Sequence, residues 1–288
     1  MNLRKINQGY LFIFPGMFVL GIMIVYPLID TAILSVTNSR GEFVGTNNFL
    51  DMLNSSTTGM ATYNSIFYVG GSIVFSLIVG TISGILLDRK FIGRGAVRSI
   101  MLIPWVVPGI VAATTWAWMF HYEFGIINYG LQSLGIISEP IGWLTNADLV
   151  KPSLIAVDVW KTFPFVALMV LAALQGIPQS LYEAARIDGA NFYHEVRYIM
   201  LPHLASVLAS VSLLLLIWGM SGITLIYAMT GGGPANRSLI LPIQIFKEAF
   251  EAFNFNRAAA LSVMLFVGLF IIIVVQVTLT RRQEAKGE

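Results

Sequence analysis

Long apolar runs alternate with short polar segments along the whole chain. Runs of about 18 or more apolar residues lie near 10–29, 63–87, 99–120, 153–175, 204–229 and 258–279. That many helical residues, at about 1.5 Å each, cover the roughly 30 Å hydrocarbon core of a bilayer. Six membrane-spanning helices are therefore predicted. The first run is longer than the about 7–15 apolar residues of a secretory leader, and no small-x-small cleavage pattern follows it closely. It reads as a retained helix.

An even number of spans puts both ends of the chain on one side, and the Lys/Arg distribution says which. With the termini inside, the inner segments hold Arg4, Lys5, Arg89, Lys90, Arg94, Arg98, Arg186, Arg197, Arg281, Arg282 and Lys286. The outer ones hold Arg40, Lys151, Arg237, Lys247 and Arg257, and Lys161 lies within a span. Eleven against five places the termini in the cytoplasm. The outer segments 30–62, 121–152 and 230–257 carry Trp143, Phe250 and Phe253 among glycines and polar residues, a lip that a partner could touch.

Between the fourth and fifth runs lies a polar island that insertion into lipid does not require, EAARIDGANFYHEVRYIMLP at 183–202. Local rules predict a short helix with Ser180 as N-cap and Glu183 three residues on, an S-x-x-E capping box. Gly189 ends it in a tight turn. A second short helix through Phe192, Val196 and Ile199 runs to Leu201 and Pro202, and Pro202 suits the first turn of the next span. The island is expected to lie along the inner membrane surface as helix, turn, helix.

Composition agrees with the apolar pattern. Only 11% of residues are charged and mean hydropathy is +0.77, against about 25% charged residues in soluble domains. The net charge of +2 and the scattered basic residues exclude a nucleic-acid stripe. With no cysteine there is no disulfide, thiol nucleophile or thiolate metal site, and the three histidines lack metal-ligand spacing. No catalytic residue and no metal site is predicted. No Gly-x4-Gly-Lys-(Ser/Thr) phosphate loop is present, so any ATP must be bound by another chain.

Taken together, Glu183, Ala184, Ala185, Gly189, Ile199, Leu201 and Pro202 meet the EAA-x3-Gly-x9-Ile-x-Leu-Pro spacing, and Asp188, just before the glycine, is counted with them as a coupling candidate. This resembles the signature of the membrane subunits of binding-protein-dependent ABC importers. LQGIPQSLYEAARIDGA at 174–190, LIPWVVPGIVAATTWAWMF at 102–120, FGIINYGLQSLGI at 124–136 and TGGGPANRSLILPIQIFKEAF at 230–250 are similar to the carbohydrate-uptake branch. Within that branch the chain resembles the larger permease of maltose importers and the first permease of glycerol-3-phosphate importers. One departure is Asn256 with Arg257, at a spot before AAALS where that family often has Gly.

The resemblance implies an all-α, polytopic inner-membrane protein with six transmembrane helices and a helix-turn-helix coupling loop, 176–203, on the cytoplasmic side. Residues 1–62 would be the first helix and outer loop, and 63–288 the core permease domain. It implies a transport subunit rather than an enzyme, in a bacterial or archaeal cytoplasmic membrane. Its partners would be a second permease in a heterodimer, two copies of an ABC ATPase that uses ATP and Mg, an extracytoplasmic solute-binding protein and membrane lipid. The solute would be a sugar or sugar derivative. Glu183 would pair with a basic group of the ATPase, with Ala184 and Ala185 allowing close contact. By the same resemblance, Trp160, Lys161, Thr162, Phe165, Gly219 and Gly222 lie along the substrate path.

Asp158 and Lys161 are the ionisable residues clearly inside a span, and such residues are functional candidates. Their i, i+3 spacing lets them neutralise each other on one helix face. Gly80 and Gly84 form a G-x-x-x-G that suits close helix packing, and Pro104, Pro108 and Pro164 are expected to kink helices. A secondary transporter or channel subunit would favour inverted repeats, and none is visible in the sequence. A membrane-embedded enzyme would need a nucleophile with its base or paired carboxylates. Neither alternative explains the island.

Overall fold

The computed structural model describes the backbone of residues 3–287 and the side chains of residues 10 and 12–280. The side chains of Arg4, Lys5, Arg281, Arg282 and Lys286, counted above on the inner side, lie outside the described residues. The regular elements are helices: α1 (Leu3–Ser35), α2 (Asn47–Leu53), α3 (Ser56–Asp88), α4 (Arg94–Val106), α5 (Gly109–Met119), α6 (Ile126–Ser133), α7 (Val150–Leu174), α8 (Gln179–Ile187), α9 (Phe192–His194), α10 (Leu201–Ser221), α11 (Thr224–Thr230), α12 (Leu241–Phe246) and α13 (Phe255–Gly287). Single π turns, Glu195–Met200 and Lys247–Glu251, follow α9 and α12.

Five described stretches are long and apolar enough to cross a bilayer unaided: Phe12–Ser35, Ser56–Asp88, Val150–Leu174, Phe192–Ser221 and Phe255–Thr280. The third expected span is instead a bent pair, in which α4 and α5 meet at 94°. Pro108 explains the break. It offers no N–H and drives the residue before it out of helical conformation, and Val107 accordingly has ψ 130°.

The fifth span also differs from expectation. It ends at Ser221 rather than near 229, because Gly222 takes an extended conformation with ψ 125° before α11 starts. At its inner end it reaches back to Phe192 through the π turn. The second helix of the polar island is thus the first part of a span, not a separate surface helix, and Pro202 sits in the first turn of α10.

Contacts divide the chain into two compact units, the segment up to Thr58 with Gln244–Gly268, and Gly59–Ile243 with the segment from Leu269 onward. In the first, the last carbonyls of α1 lack helical partners, as at any helix end, and amides supply them. Asn256 Nδ2 donates to Leu34 O at 3.0 Å and Thr37 O at 2.8 Å. Asn48 Nδ2 donates to Ser35 O and Thr37 O, both at 2.9 Å. Asn256 and Arg257 therefore have defined structural roles, with Arg257 Nη2 3.3 Å from Asp51 Oδ2.

In the second unit, the G-x-x-x-G of α3 faces α7. A Cβ at Gly84 would stand 2.6 Å from Val170 Cγ1, and one at Gly80 would overlap Val166. The resulting close approach organises an apolar core of Ile85, Val166, Val170, Leu174, Met200 and Leu204, together with Tyr182 from α8. Gln276 on α13 ties to α10, its Nε2 donating to Ala209 O and Ser212 Oγ at 2.8 Å each.

Candidate functional site

Two groups of candidate residues sit on the second unit, one in the polar island and one in a cavity beside α7. In the island, α8 starts after Pro178, whose carbonyl accepts from Leu181 N at 3.1 Å. Ser180 is therefore inside the helix and is not its N-cap. The capping box lies one helix later. His194 N donates to Asn191 Oδ1 at 3.1 Å, and Asn191 N donates to His194 Nδ1 at 3.4 Å.

Gly189 does end α8, at φ +82°. Ala190 N donates to Ala185 O and Gly189 N to Arg186 O, the paired bonds of a Schellman closure. This turn leaves Glu183, Ala184, Asp188 and Gly189 exposed. Ala185 and Ile199 are half-buried beside them and contribute with Asp188 and Gly189 to a shallow depression, while Leu201 and Pro202 are exposed one turn along. Glu183 takes part in no ion pair among the described residues. Beneath this face Tyr182 is buried, and burial raises its phenol pKa above the usual value, with the Asp88 and Glu195 charges adding to the shift. Its hydroxyl has no hydrogen-bond partner among the described residues.

A cavity of about 300 Å³ opens between α3, α7 and α10. Asp158, Lys161, Thr162, Gly219 and Gly222 line it, whereas Trp160 and Phe165 do not. Trp160 packs edge-on against Trp116 at 5.4 Å. Phe165 stands behind the wall, between Trp105 at 5.7 Å and Trp218 at 5.0 Å, and both indoles do line the cavity.

Asp158 and Lys161 make no ion pair within 4.0 Å among the described residues, although each lies within range of the other's charge, as their spacing suggests. Lys161 Nζ instead donates to Val107 O at 2.6 Å. The broken helix frees that carbonyl, and an unpaired carbonyl at membrane depth is costly. The Asp158 carboxyl faces Tyr68 and Ser72 on α3. Ser72 Oγ lacks well-formed hydrogen-bond geometry there, and Ser76 Oγ is likewise buried without a partner.

Tyr68, Ser72 and Ser76 were not singled out from the sequence. Their i, i+4, i+8 spacing within an apolar helix is a polar stripe on one face, and it was the available signal. At the lip, Phe250 and Phe253 are exposed, as expected of a contact surface, but Trp143 is turned inward with Nε1 donating to Asn128 Oδ1 at 2.9 Å.

The exposed, correctly spaced island on an all-helical membrane bundle is what distinguishes this chain, and the sequence comparison agrees. The pattern of the family described as "Binding-protein-dependent transport system inner membrane component" matches residues 72–284. The chain belongs to that family. This permease is 34% identical over 272 residues to the trehalose/maltose transport system permease protein MalF of Thermococcus litoralis, covering 93% of this chain and 91% of that one.

Among solved structures, the permease fold matches a bacterial ABC transporter involved in import of the acidic polysaccharide alginate. The TM-score is 0.88 at 20% identity, with 97% of each chain covered. A second crystal structure, of the alginate transporter with an alginate pentasaccharide-bound periplasmic protein, matches with TM-score 0.87 at 20% identity over 97% and 96% of the two chains. The chain is thus a multi-pass membrane permease subunit, an inner-membrane component of a binding-protein-dependent transport system.

Proposed function

We propose that this permease is one of two membrane subunits of an ATP-driven importer for a sugar or sugar derivative. The importer carries two copies of a cytoplasmic ATPase that use ATP and Mg, the loop at 176–203 docks into a groove on one of them, and an extracytoplasmic binding protein delivers solute to the outer face. The observation that carries this reading is the loop itself. Glu183 and Ala184 stand exposed on a helix whose opposite face, through Tyr182, is rooted in the core.

A carboxylate with no ion pair among the described residues, followed by the small Ala184 and Ala185, suits a groove that offers a basic group. Because ATP must act from another chain, transport requires an element that moves as a unit between two arrangements. The excess of inner Lys/Arg supports a cytoplasmic position for the loop and both termini.

The solute class rests on the relatives and on the cavity. The MalF protein is named for trehalose and maltose, and the alginate transporter for a polysaccharide. The cavity offers hydroxyls, a carboxyl, an ammonium and two indoles, the mixture of apolar walls and a few polar groups that suits a polyhydroxyl ring. Asp158, Lys161, Thr162, Gly219 and Gly222 face that ring, and Phe165 supports the indoles from behind.

Purifying the tagged permease from its native membrane tests the proposal. An ATPase and a second permease of similar size are expected to accompany it. Recovery as a lone, active species would overturn it.

A further inference from the structure

Glu195 is buried to 5% exposure in a loop that is otherwise largely exposed. It begins the π turn that joins α9 to α10. Arg186 Nε, in the last turn of α8, donates to Glu195 Oε1 at 2.8 Å. Arg89, the first residue beyond α3, places Nη2 4.0 Å from Glu195 Oε2. The same guanidinium lies over the Phe192 ring, 4.0 Å from its centroid. One carboxylate thus meets a cation from α8 and a cation from the end of α3, and does so from the root of the fifth span.

We infer that Glu195 is a positioning residue for transport, a latch that makes α8, the end of α3 and the start of the fifth span one body. The inference rests on the coupling role proposed for the loop. Apolar contacts beneath α8, through Ile177, Tyr182 and Met200, hold it near the core and are non-directional, since the Tyr182 hydroxyl makes no hydrogen bond among the described residues. A hydrogen-bonded ion pair is directional and supplies that missing constraint.

A buried carboxylate adds little net stability once desolvation is counted, so its value here is one defined arrangement. Single π turns also gather at functional positions in helices. The latch has a second effect. Arg186 lies three residues from Glu183, near enough to pair with it on the helix surface, and the bond to Glu195 keeps Glu183 available to a partner.

The test uses the assembled complex in proteoliposomes, with solute carried per ATP hydrolysed as the readout. Glu195→Gln is expected to assemble in wild-type amount and to lower that ratio about tenfold. Arg186→Gln should do the same, and the double variant should be no worse than either single, because the two act through one contact. An unchanged ratio in Glu195→Gln would overturn the latch.

The chain has no cysteine, which allows a second arm that does not depend on those variants. Arg186→Cys with Glu195→Cys, bridged by a short bismaleimide, should recover most of the wild-type ratio, since a latch is meant to stay closed. If bridging stops uptake that the unbridged pair supports, the loop hinges at this point and the inference is wrong. Failure of the importer reading is separately visible, because the wild-type complex would then show no coupled uptake.

Discussion

Lys161 Nζ donates to the carbonyl oxygen of Val107 at 2.6 Å, joining the middle of α7 to the point where α4 and α5 part. The bond puts a cation at a break made by Pro108, on the wall of the cavity proposed for solute. It ties the shape of that wall to the position of α7. Replacing Lys161 with Met leaves the carbonyl unpaired. The expected cost is about 1–3 kcal/mol, read as a lower thermal unfolding midpoint in detergent, and an unchanged midpoint would show that the bond does not brace the break.

Gly84 is tolerated only as glycine. Gly84→Leu pushes a side chain into Val170 and Ala167 and should abolish recovery of monodisperse protein. Gly70 on the same helix has open space around its Cβ direction, so Gly70→Ala should be recovered normally. Size-exclusion profiles of the two variants decide the matter, and similar profiles would contradict the packing assigned to the G-x-x-x-G.

Asn256 is buried and bonds two carbonyls near the end of α1. Asn256→Gly removes one donor each from Leu34 O and Thr37 O, which keep Thr37 N and Asn48 Nδ2 as partners, and should destabilise the first unit by about 1 kcal/mol. Faster proteolysis within 36–58 is the expected sign. Arg257→Ala removes only an exposed pair and should change cleavage little.

Tyr182 offers a pH test. Burial raises its pKa, so the neutral phenol is favoured in the folded loop. A group with a raised folded pKa contributes stability that is intact below its unfolded pKa, about 10, and lost as pH rises through the folded value. Amide exchange in 179–190 should therefore accelerate above about pH 10 beyond its intrinsic base dependence. Tyr182→Phe should remove that excess and cost little at neutral pH, because the hydroxyl has no hydrogen-bond partner to lose among the described residues.

Most of the architecture was legible because lipid imposes a simple pattern, a long apolar run for each crossing. Pro108 predicts a kink, but local rules do not show a 94° bend or that Lys161, 54 residues away, takes up the freed Val107 carbonyl. Ser180 fits a capping box by spacing, yet Pro178 starts the helix earlier and Asn191 with His194 forms the box instead.

The island's outward residues were legible from their spacing. Glu195 was not, because its meaning depends on Arg89, which the fold brings from the inner end of α3. Trp160 and Phe165 share a helix with Lys161, but their side chains turn to Trp116 and to Trp105 and Trp218.

The central claim, that the exposed face of α8 receives force from an ATPase, is tested most directly by uptake and ATP hydrolysis measured together in the reconstituted complex with Glu183→Lys and with Gly189→Asp. The first reverses the exposed charge, and the second strains a turn at φ +82° without meeting any neighbour. Both variants should insert in the membrane in normal amount and lose uptake while hydrolysis becomes independent of solute. Wild-type uptake by both would contradict the coupling role of the loop.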